Sequence, residues 1–360
     1  MLVVSGTGGH IYPGISIAKE LKKRDPQVEI QFVGRIKTDE FREFSFTQID
    51  IKEWNRRILC LTTFEFVWKI MKGFIQSLLF LKRFRPDVVV GMGGYASFPV
   101  ILSAYLLRIP TLVHEQNVVP GLTIKVLAWI ADKIAISFEE SKKYLRHSAT
   151  LTGNPVRGEI GKVDRVSGLN HFGLDPHKFT ILVFGGSLGA HSINKALIEA
   201  LPYLEEVGCR LQIIHITGRE DYSFVREKVR ESKITIQVFP YILKMGHAYA
   251  ASDLVICRAG ATTISELTKC LLPCILIPYP YATSDHQRIN AEVLEKKGAK
   301  MILDKDLSGD LLAKEILELM TDKERLNKMK AGLKDIGISS ATQKLVELIY
   351  SLKRTKGRRC

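Results

Sequence analysis

Short apolar runs that break off into glycine-rich turns, each followed by a helical pattern, recur along this chain and limit its fold more than any other feature. Leu2-Val3-Val4 enters Ser5-Gly6-Thr7-Gly8-Gly9-His10, and Ile15, Ala18 and Leu21 then follow at helical spacing. Pro86-Asp87-Val88-Val89-Val90 ends in Gly91-Met92-Gly93-Gly94-Tyr95, and Thr111-Leu112-Val113-His114-Glu115-Gln116-Asn117 is a further strand with a polar end. After residue 173 the pattern restarts. Phe179-Thr180-Ile181-Leu182-Val183-Phe184 enters Gly185-Gly186-Ser187-Leu188-Gly189-Ala190, with Ile193, Leu197 and Leu201 behind it. Ala251-Ser252-Asp253-Leu254-Val255-Ile256 enters Cys257-Arg258-Ala259-Gly260-Ala261, followed by Ile264, Leu267 and Leu271. Strands apolar on both faces belong to a parallel sheet covered on both sides by helices. The expected class is therefore α/β, with two Rossmann-like doubly wound domains facing across a cleft. The polar, weakly periodic stretch 158–173 is expected to link them. This gives an N-terminal domain over 1–157, a C-terminal domain over 174–335, and a last helix with a basic tail over 336–360.

A net charge of +14 and a pI near 9.4 call for an anionic partner. No zinc-finger spacing, RNP-like aromatic pattern or basic heptad region points to nucleic acid, so a membrane surface or a phosphorylated substrate is the better expectation. Six scattered cysteines (Cys60, Cys209, Cys257, Cys270, Cys274, Cys360) show no paired metal-ligand spacing and suit a reducing compartment. No signal peptide is expected before Leu2-Val3-Val4. Residues 64–81 are too apolar for one core contact, yet Lys69 and Lys72 interrupt them. With Arg56, Arg57, Lys82, Arg83 and Arg85 around them, they suit either the headgroup boundary of an anionic bilayer or a doubly buried helix.

In an open α/β sheet, ligands meet the C-terminal ends of the strands. His10, Gly93, Gly94, Glu115 and Asn117 are expected along one such edge. The helix starts after Gly186 and Gly260 offer unpaired N–H groups to a diphosphate. Glu266, one turn into its helix, could accept from a ribose diol, but Thr263-x-x-Glu266 is also a capping box, and Ser284-x-x-Gln287 is a second. His10 and Glu115 are the candidate general bases. Asp304-x-Asp306 is a weak metal signal, and no other carboxylate cluster is evident.

The motifs Gly6-Thr7-Gly8-Gly9-His10, Gly93-Gly94-Tyr95, His114-Glu115-Gln116-Asn117, Gly153-Asn154-Pro155-Val156-Arg157, Gly185-Gly186-Ser187, Cys257-Arg258-Ala259-Gly260-Ala261, Thr263, Ser265-Glu266 and Asp285-His286-Gln287 span nearly the whole chain. In that order they resemble glycosyltransferase family 28, whose peptidoglycan members have the GT-B fold. The resemblance implies inverting, cofactor-free and metal-free transfer of N-acetylglucosamine from UDP-N-acetylglucosamine (UDP-GlcNAc) to the muramoyl 4-hydroxyl of a lipid-linked muramoyl-pentapeptide. It implies a peripheral protein on the cytoplasmic face of a bacterial inner membrane, with cell-wall synthesis proteins as possible partners. By the same resemblance Ser187 contacts the diphosphate, Ile242 the uracil through its backbone, Glu266 the ribose diol and Gln287 the sugar hydroxyls. Ala261, Thr262, Thr263, Ile264 and Ser265 line the donor site. Thr7, Gly8, Gly9, Asn117 and Arg157 line the cleft, Gly93, Gly94 and Tyr95 meet the acceptor diphosphate, and His10 is the expected base with Glu115 second. Ser5 and Leu188 depart from the family pattern, and Leu188 puts one phosphate contact in doubt. A UDP-sugar epimerase, another glycolipid glycosyltransferase or a non-catalytic nucleotide-binding adaptor are the alternatives.

Overall fold

The computed structural model describes residues 1–5, 8–35, 43–49, 61–145 and 148–356, apart from the side chains of 5, 35, 61–67, 69 and 354–356. It divides into two compact units, Met1–Arg157 with Ser340–Cys360, and Gly158–Ser339.

The first unit runs β1 (Leu2–Ser5), α1 (Gly8–Arg24), β2 (Gln31–Arg35), β3 (Ser45–Gln48), α2 (Leu61–Phe84), β4 (Val89–Gly91), α3 (Ser97–Leu106), β5 (Thr111–Glu115), α4 (Leu122–Leu127), β6 (Lys133–Ile136) and β7 (Thr150–Leu151). All paired strands are parallel, in the order β3-β2-β1-β4-β5-β6-β7. Side chains alternate across a strand, so an apolar run must be covered twice. Leu2 and Val4 of β1 accordingly enter one core, with Ile17 and Leu21 of α1, while Val3 enters the other, with Val100 and Ile101 of α3 and Leu127 of α4.

The second unit runs α5 (Arg165–Phe172), β8 (Phe179–Phe184), α6 (His191–Leu204), β9 (Leu211–Ile216), α7 (Tyr222–Lys228), β10 (Thr235–Phe239), α8 (Met245–Ala251), β11 (Leu254–Cys257), α9 (Ala261–Cys270), β12 (Cys274–Leu276), α10 (His286–Glu295), β13 (Lys300–Met301), α11 (Gly309–Thr321) and α12 (Lys323–Ile336). Its parallel sheet is ordered β10-β9-β8-β11-β12-β13. Ile181, Val183, Leu254 and Ile256 bury one sheet face against Ile193 and Leu197 of α6 and Leu312 and Ile316 of α11. The last helix, α13 (Ala341–Lys356), belongs to the first unit, where Leu345, Val346 and Ile349 join the core under α1.

Both sheets reverse their strand order beside their first strand, between β1 and β4 and between β8 and β11. Consecutive loops leave such a point in opposite directions, which opens a crevice at the C-terminal strand ends.

The stretch 158–173, expected as a linker, differs from that expectation. Asp164 caps α5 by accepting from Ser167 N, Gly173 ends it at φ +63°, and Leu169 and Phe172 are buried. Gly168 lets the helix pass close to α8, since a Cβ there would lie 2.7 Å from the His247 carbonyl. Its polar and glycine residues are thus a start, a close crossing and a stop. The short strands β3 and β7, at the two edges of their sheet, were not anticipated either. They are too short to carry a pattern.

Candidate functional site

In the first unit, β1 leads to α1, whose first turn carries Gly8, Gly9 and His10. Across the reversal point, β4 leads through Met92, Gly93 and Gly94 to α3. Gly93 holds φ +89°, and a Cβ there would sit 3.1 Å from His10 Cε1, so glycine is needed for the backbone and for the space. His10 Nδ1 lies 3.0 Å from Gln116 Oε1. Gln116 Nε2 donates to the Met92 carbonyl at 2.9 Å and lies 3.1 Å from His114 Nδ1. Ser97 Oγ donates to the Gly93 carbonyl at 2.6 Å, fixing the start of α3, while Tyr95 is exposed.

Glu115, the second candidate base, is 2% exposed, and both of its oxygens are engaged. Oε1 accepts from Asn117 N and Nδ2, and Oε2 accepts from Gly121 N. Burial pushes its pKa up, and these donors pull it back. Glu115 therefore ties the loop after β5 to itself and, through that loop, places Asn117. Arg157, at the end of the first segment, lies with its guanidinium 4.6 Å from the centre of the Tyr12 ring of α1. Thr7 lies outside the described residues, as do Arg56 and Arg57.

In the second unit, β11 leads through Arg258 and Ala259 to Gly260, the N-cap of α9. Ala261, Thr262, Thr263, Ile264, Ser265 and Glu266 form its first turns. The capping-box reading of Thr263 fails because the helix starts three residues earlier than that box requires. Glu266 is 4% exposed and accepts from Tyr249 Oη of α8 at 2.8 Å. Tyr249 is itself buried, with its ring edge-on to Phe184 at the end of β8. A buried acidic side chain held at a helix start is a positioned acceptor. The second box fails too, because α10 starts at His286 with Asp285 as N-cap and no side-chain cap. Gln287 Oε1 instead accepts from Tyr279 N at 3.0 Å, which leaves its NH₂ as the donating end.

Ser187 is exposed in the turn after β8, beside Leu188, which is 83% exposed. Gly189 holds φ +84°, with the Thr217 carbonyl where a Cβ would go. Ile242 is buried in the turn between β10 and α8. Asp304, the first residue of the Asp304-x-Asp306 signal, is engaged through Oδ1. It pairs with Arg258 and accepts from Ser192 Oγ at 2.7 Å. Arg258 also donates to the carbonyls of Ile277 and Pro278 and to Ser192 Oγ, so it clamps the loop ends of β11 and β12 to the start of α6. No group of three or more His, Cys, Asp or Glu residues suited to a metal occurs among the described residues.

Sequence reasoning gave no role to His114, Gln116, Tyr249, Ser192 or Arg258. Apart from the contact between His114 and Gln116, their partners lie far off in the chain, and only the placement of Gln116 between Glu115 and Asn117 hinted at a polar strand end.

Two parallel-sheet units, each reversing its strand order beside its first strand, have the architecture of the GT-B class. Comparison with known proteins narrows this. The N-terminal domain model of glycosyltransferase family 28 matches residues 1–136 and its C-terminal domain model residues 180–347. The chain belongs to glycosyltransferase family 28. It is 40% identical, over 98% of its length and 97% of the relative's, to the UDP-N-acetylglucosamine--N-acetylmuramyl-(pentapeptide) pyrophosphoryl-undecaprenol N-acetylglucosamine transferase of Acetivibrio thermocellus. Among solved structures it is similar to Acinetobacter baumannii MurG, with a TM-score of 0.77 and 29% identity, over 98% of this chain and 99% of that one. The UDP-GlcNAc 2-epimerase of Neisseria meningitidis, at 14% identity and a TM-score of 0.67 over 97% and 99%, shares the fold alone.

Proposed function

We propose that this chain is an inverting transferase that moves N-acetylglucosamine from UDP-GlcNAc to the muramoyl 4-hydroxyl of an undecaprenyl-diphosphate-linked muramoyl-pentapeptide. The observation that carries this reading is full-length similarity to relatives named for that transfer, in a chain whose two reversal points hold the motif residues. In this reading the second unit takes the donor. The N-terminus of α9 and the turn carrying Ser187 meet the diphosphate, which helix-end amides stabilise as it leaves. Ile242 meets the uracil through its backbone, Gln287 donates to the sugar hydroxyls, and Glu266 holds the ribose diol while Tyr249 fixes its other oxygen. The first unit takes the acceptor, Gly93, Gly94 and Tyr95 meet its diphosphate, and His10 removes the proton of the attacking hydroxyl. His10 is favoured over Glu115 because both Glu115 oxygens already accept hydrogen bonds within their own loop.

Labelled N-acetylglucosamine should pass to a muramoyl-pentapeptide lipid at the same rate with and without chelator. Conversion of UDP-GlcNAc alone into its 2-epimer, with no transfer, would refute the reading. Loss of transfer in chelator, restored by magnesium, would refute the metal-free part of it. Glu266→Gln should weaken UDP binding by about 1–3 kcal/mol, the scale of one lost charge-assisted hydrogen bond. Its folding should hold, because an amide oxygen still accepts from Tyr249. Unchanged UDP affinity in a calorimetric titration would leave Glu266 a packing residue.

No helix among the described residues is long and apolar enough to cross a membrane. A peripheral contact is supported instead by Trp68, Met71, Ile75 and Leu79, all more than half exposed along α2. Exposed Leu106 at the end of α3 and Leu122 and Trp129 around α4 extend the apolar surface on neighbouring helices, with Lys72, Lys82 and Arg83 along α2. In this reading the face lies on the anionic cytoplasmic leaflet of a bacterial inner membrane, each nearby cation adding about 1 kcal/mol. Phe74 and Leu78, the centre of the segment by sequence, are only half-exposed, so Ile75 and Leu79 make the sharper test. Ile75→Glu with Leu79→Glu should release the protein from anionic vesicles in a sedimentation assay and spare transfer to a short-chain soluble acceptor. Full vesicle binding by the folded double variant would place the contact elsewhere.

A further inference from the structure

His10, Gln116 and His114 form a chain of side chains from the first turn of α1 to the buried end of β5, and its direction is set at the far end. His114 Nε2 faces the Gly153 carbonyl at 3.1 Å and the Ser137 hydroxyl at 3.4 Å, whose own hydrogen goes to the Glu115 carbonyl, so Nε2 carries the hydrogen and Nδ1 accepts. Gln116 Nε2 stands within reach of three acceptors, the Met92 carbonyl, His114 Nδ1 and, at 3.3 Å, the His114 carbonyl, which take its two hydrogens. The amide is thereby oriented, and its oxygen, which can only accept, faces His10 Nδ1 at 3.0 Å. Nδ1 must then carry the hydrogen. Gly93 makes the meeting possible, since a Cβ there would come within 3.3 Å of His10 Nδ1 and 3.5 Å of Gln116 Oε1.

We infer that Gln116, gripped by Met92 and His114, is a positioning residue that holds His10 as the Nδ1–H tautomer and so presents the Nε2 lone pair as the proton acceptor. This rests on the reading of His10 as the general base. A histidine side chain in water favours the opposite tautomer, with the hydrogen on Nε2, which cannot take a proton from the acceptor hydroxyl there. The fold thus supplies the tautomer the reaction needs, because which ring nitrogen is protonated follows from the bond the other one makes. His114 must stay neutral for the chain to keep its direction, because a hydrogen on its Nδ1 would oppose the Gln116 NH₂. Burial pushes its pKa down to about 4, well away from neutral pH. The other ionisable groups on the elements meeting His10 are Glu115 of β5, tied into its own loop, Tyr12 of α1, Arg157 stacked on Tyr12, and Tyr95 beyond Gly94.

The test is the ¹⁵N spectrum of histidine-labelled protein, alongside steady-state transfer. In the wild type, His10 should show a protonated Nδ1 and an unprotonated Nε2. In Gln116→Leu the hydrogen should move to Nε2 in a substantial fraction of molecules. kcat should fall about 10–100-fold with the donor KM little changed, as for loss of part of a general-base contribution. Gln116→Glu keeps an oxygen at Nδ1 and so should retain the tautomer, but its second oxygen meets the Met92 carbonyl and His114 Nδ1, both acceptors, so it should take a proton there and recover the rate only in part. An Nε2–H signal from His10 in the wild type overturns the inference even if Gln116→Leu does not fold. An unchanged tautomer in folded Gln116→Leu overturns it as well. The base reading fails separately, if His10→Ala transfers at the wild-type rate, and the wild-type spectrum still decides the role of Gln116.

Discussion

His10→Ala should lower kcat for transfer by roughly 10²–10⁴-fold, the contribution of a positioned general base, and leave the donor KM nearly unchanged. The size follows from the chemistry. A sugar hydroxyl is a poor nucleophile until its proton is being removed, and a neutral imidazole is the side chain best matched to that task near neutral pH. The fold should tolerate the change, since His10 lies in the first turn of α1 and is only partly buried. Glu115→Gln is the matching control. It keeps an acceptor for Asn117 and loses the carboxylate, so it should cost far less than His10→Ala if Glu115 only shapes its loop. A large loss in Glu115→Gln beside a mild one in His10→Ala, measured in single turnover, would exchange the two roles.

Arg258→Met should destabilise the second unit by about 3 kcal/mol, as expected when one partner of a largely buried ion pair is removed. Methionine fills much of the same volume, but Asp304 is left without its cation, and the Ile277 and Pro278 carbonyls lose their donor. Because the clamp joins the loop ends at the β8–β11 reversal point, the loss should extend to the donor side, with weaker UDP binding. Adding Asp304→Leu should return part of the stability, since the unpaired charge goes with it. Hydrogen exchange of the β11 and β12 amides reads the change in this unit alone. Unchanged protection in Arg258→Met would show that the clamp carries little stability.

Much of the fold was legible because parallel strands buried on both faces leave a strong local record. The runs now seen as β1, β4, β5, β8 and β11 are apolar and end in glycine or polar turns. Edge strands of two to four residues, such as β3 and β7, leave no such record, and α5 was hidden because its cap, crossing glycine and stop look like a loop. For the site, the motif residues could be read as belonging to strand ends and helix starts. Their hydrogen-bond partners could not, since His10 meets Gln116 across 106 positions and Arg258 meets Asp304 across 46.

What the sequence determined by itself is what local physics encodes, namely strand, turn and helix in repeated order, the need for glycine where backbone turns sharply, and the motif set that carries the family resemblance. Only the tertiary structure decided how those side chains are used. It placed Glu266 against Tyr249 rather than in a capping box, drew Asp304 into an ion pair, closed both Glu115 oxygens into a loop, and aimed Gln116 at His10. A buried polar group must find a partner wherever the fold brings one, and that partner is set by the packing of distant segments rather than by neighbours in the chain.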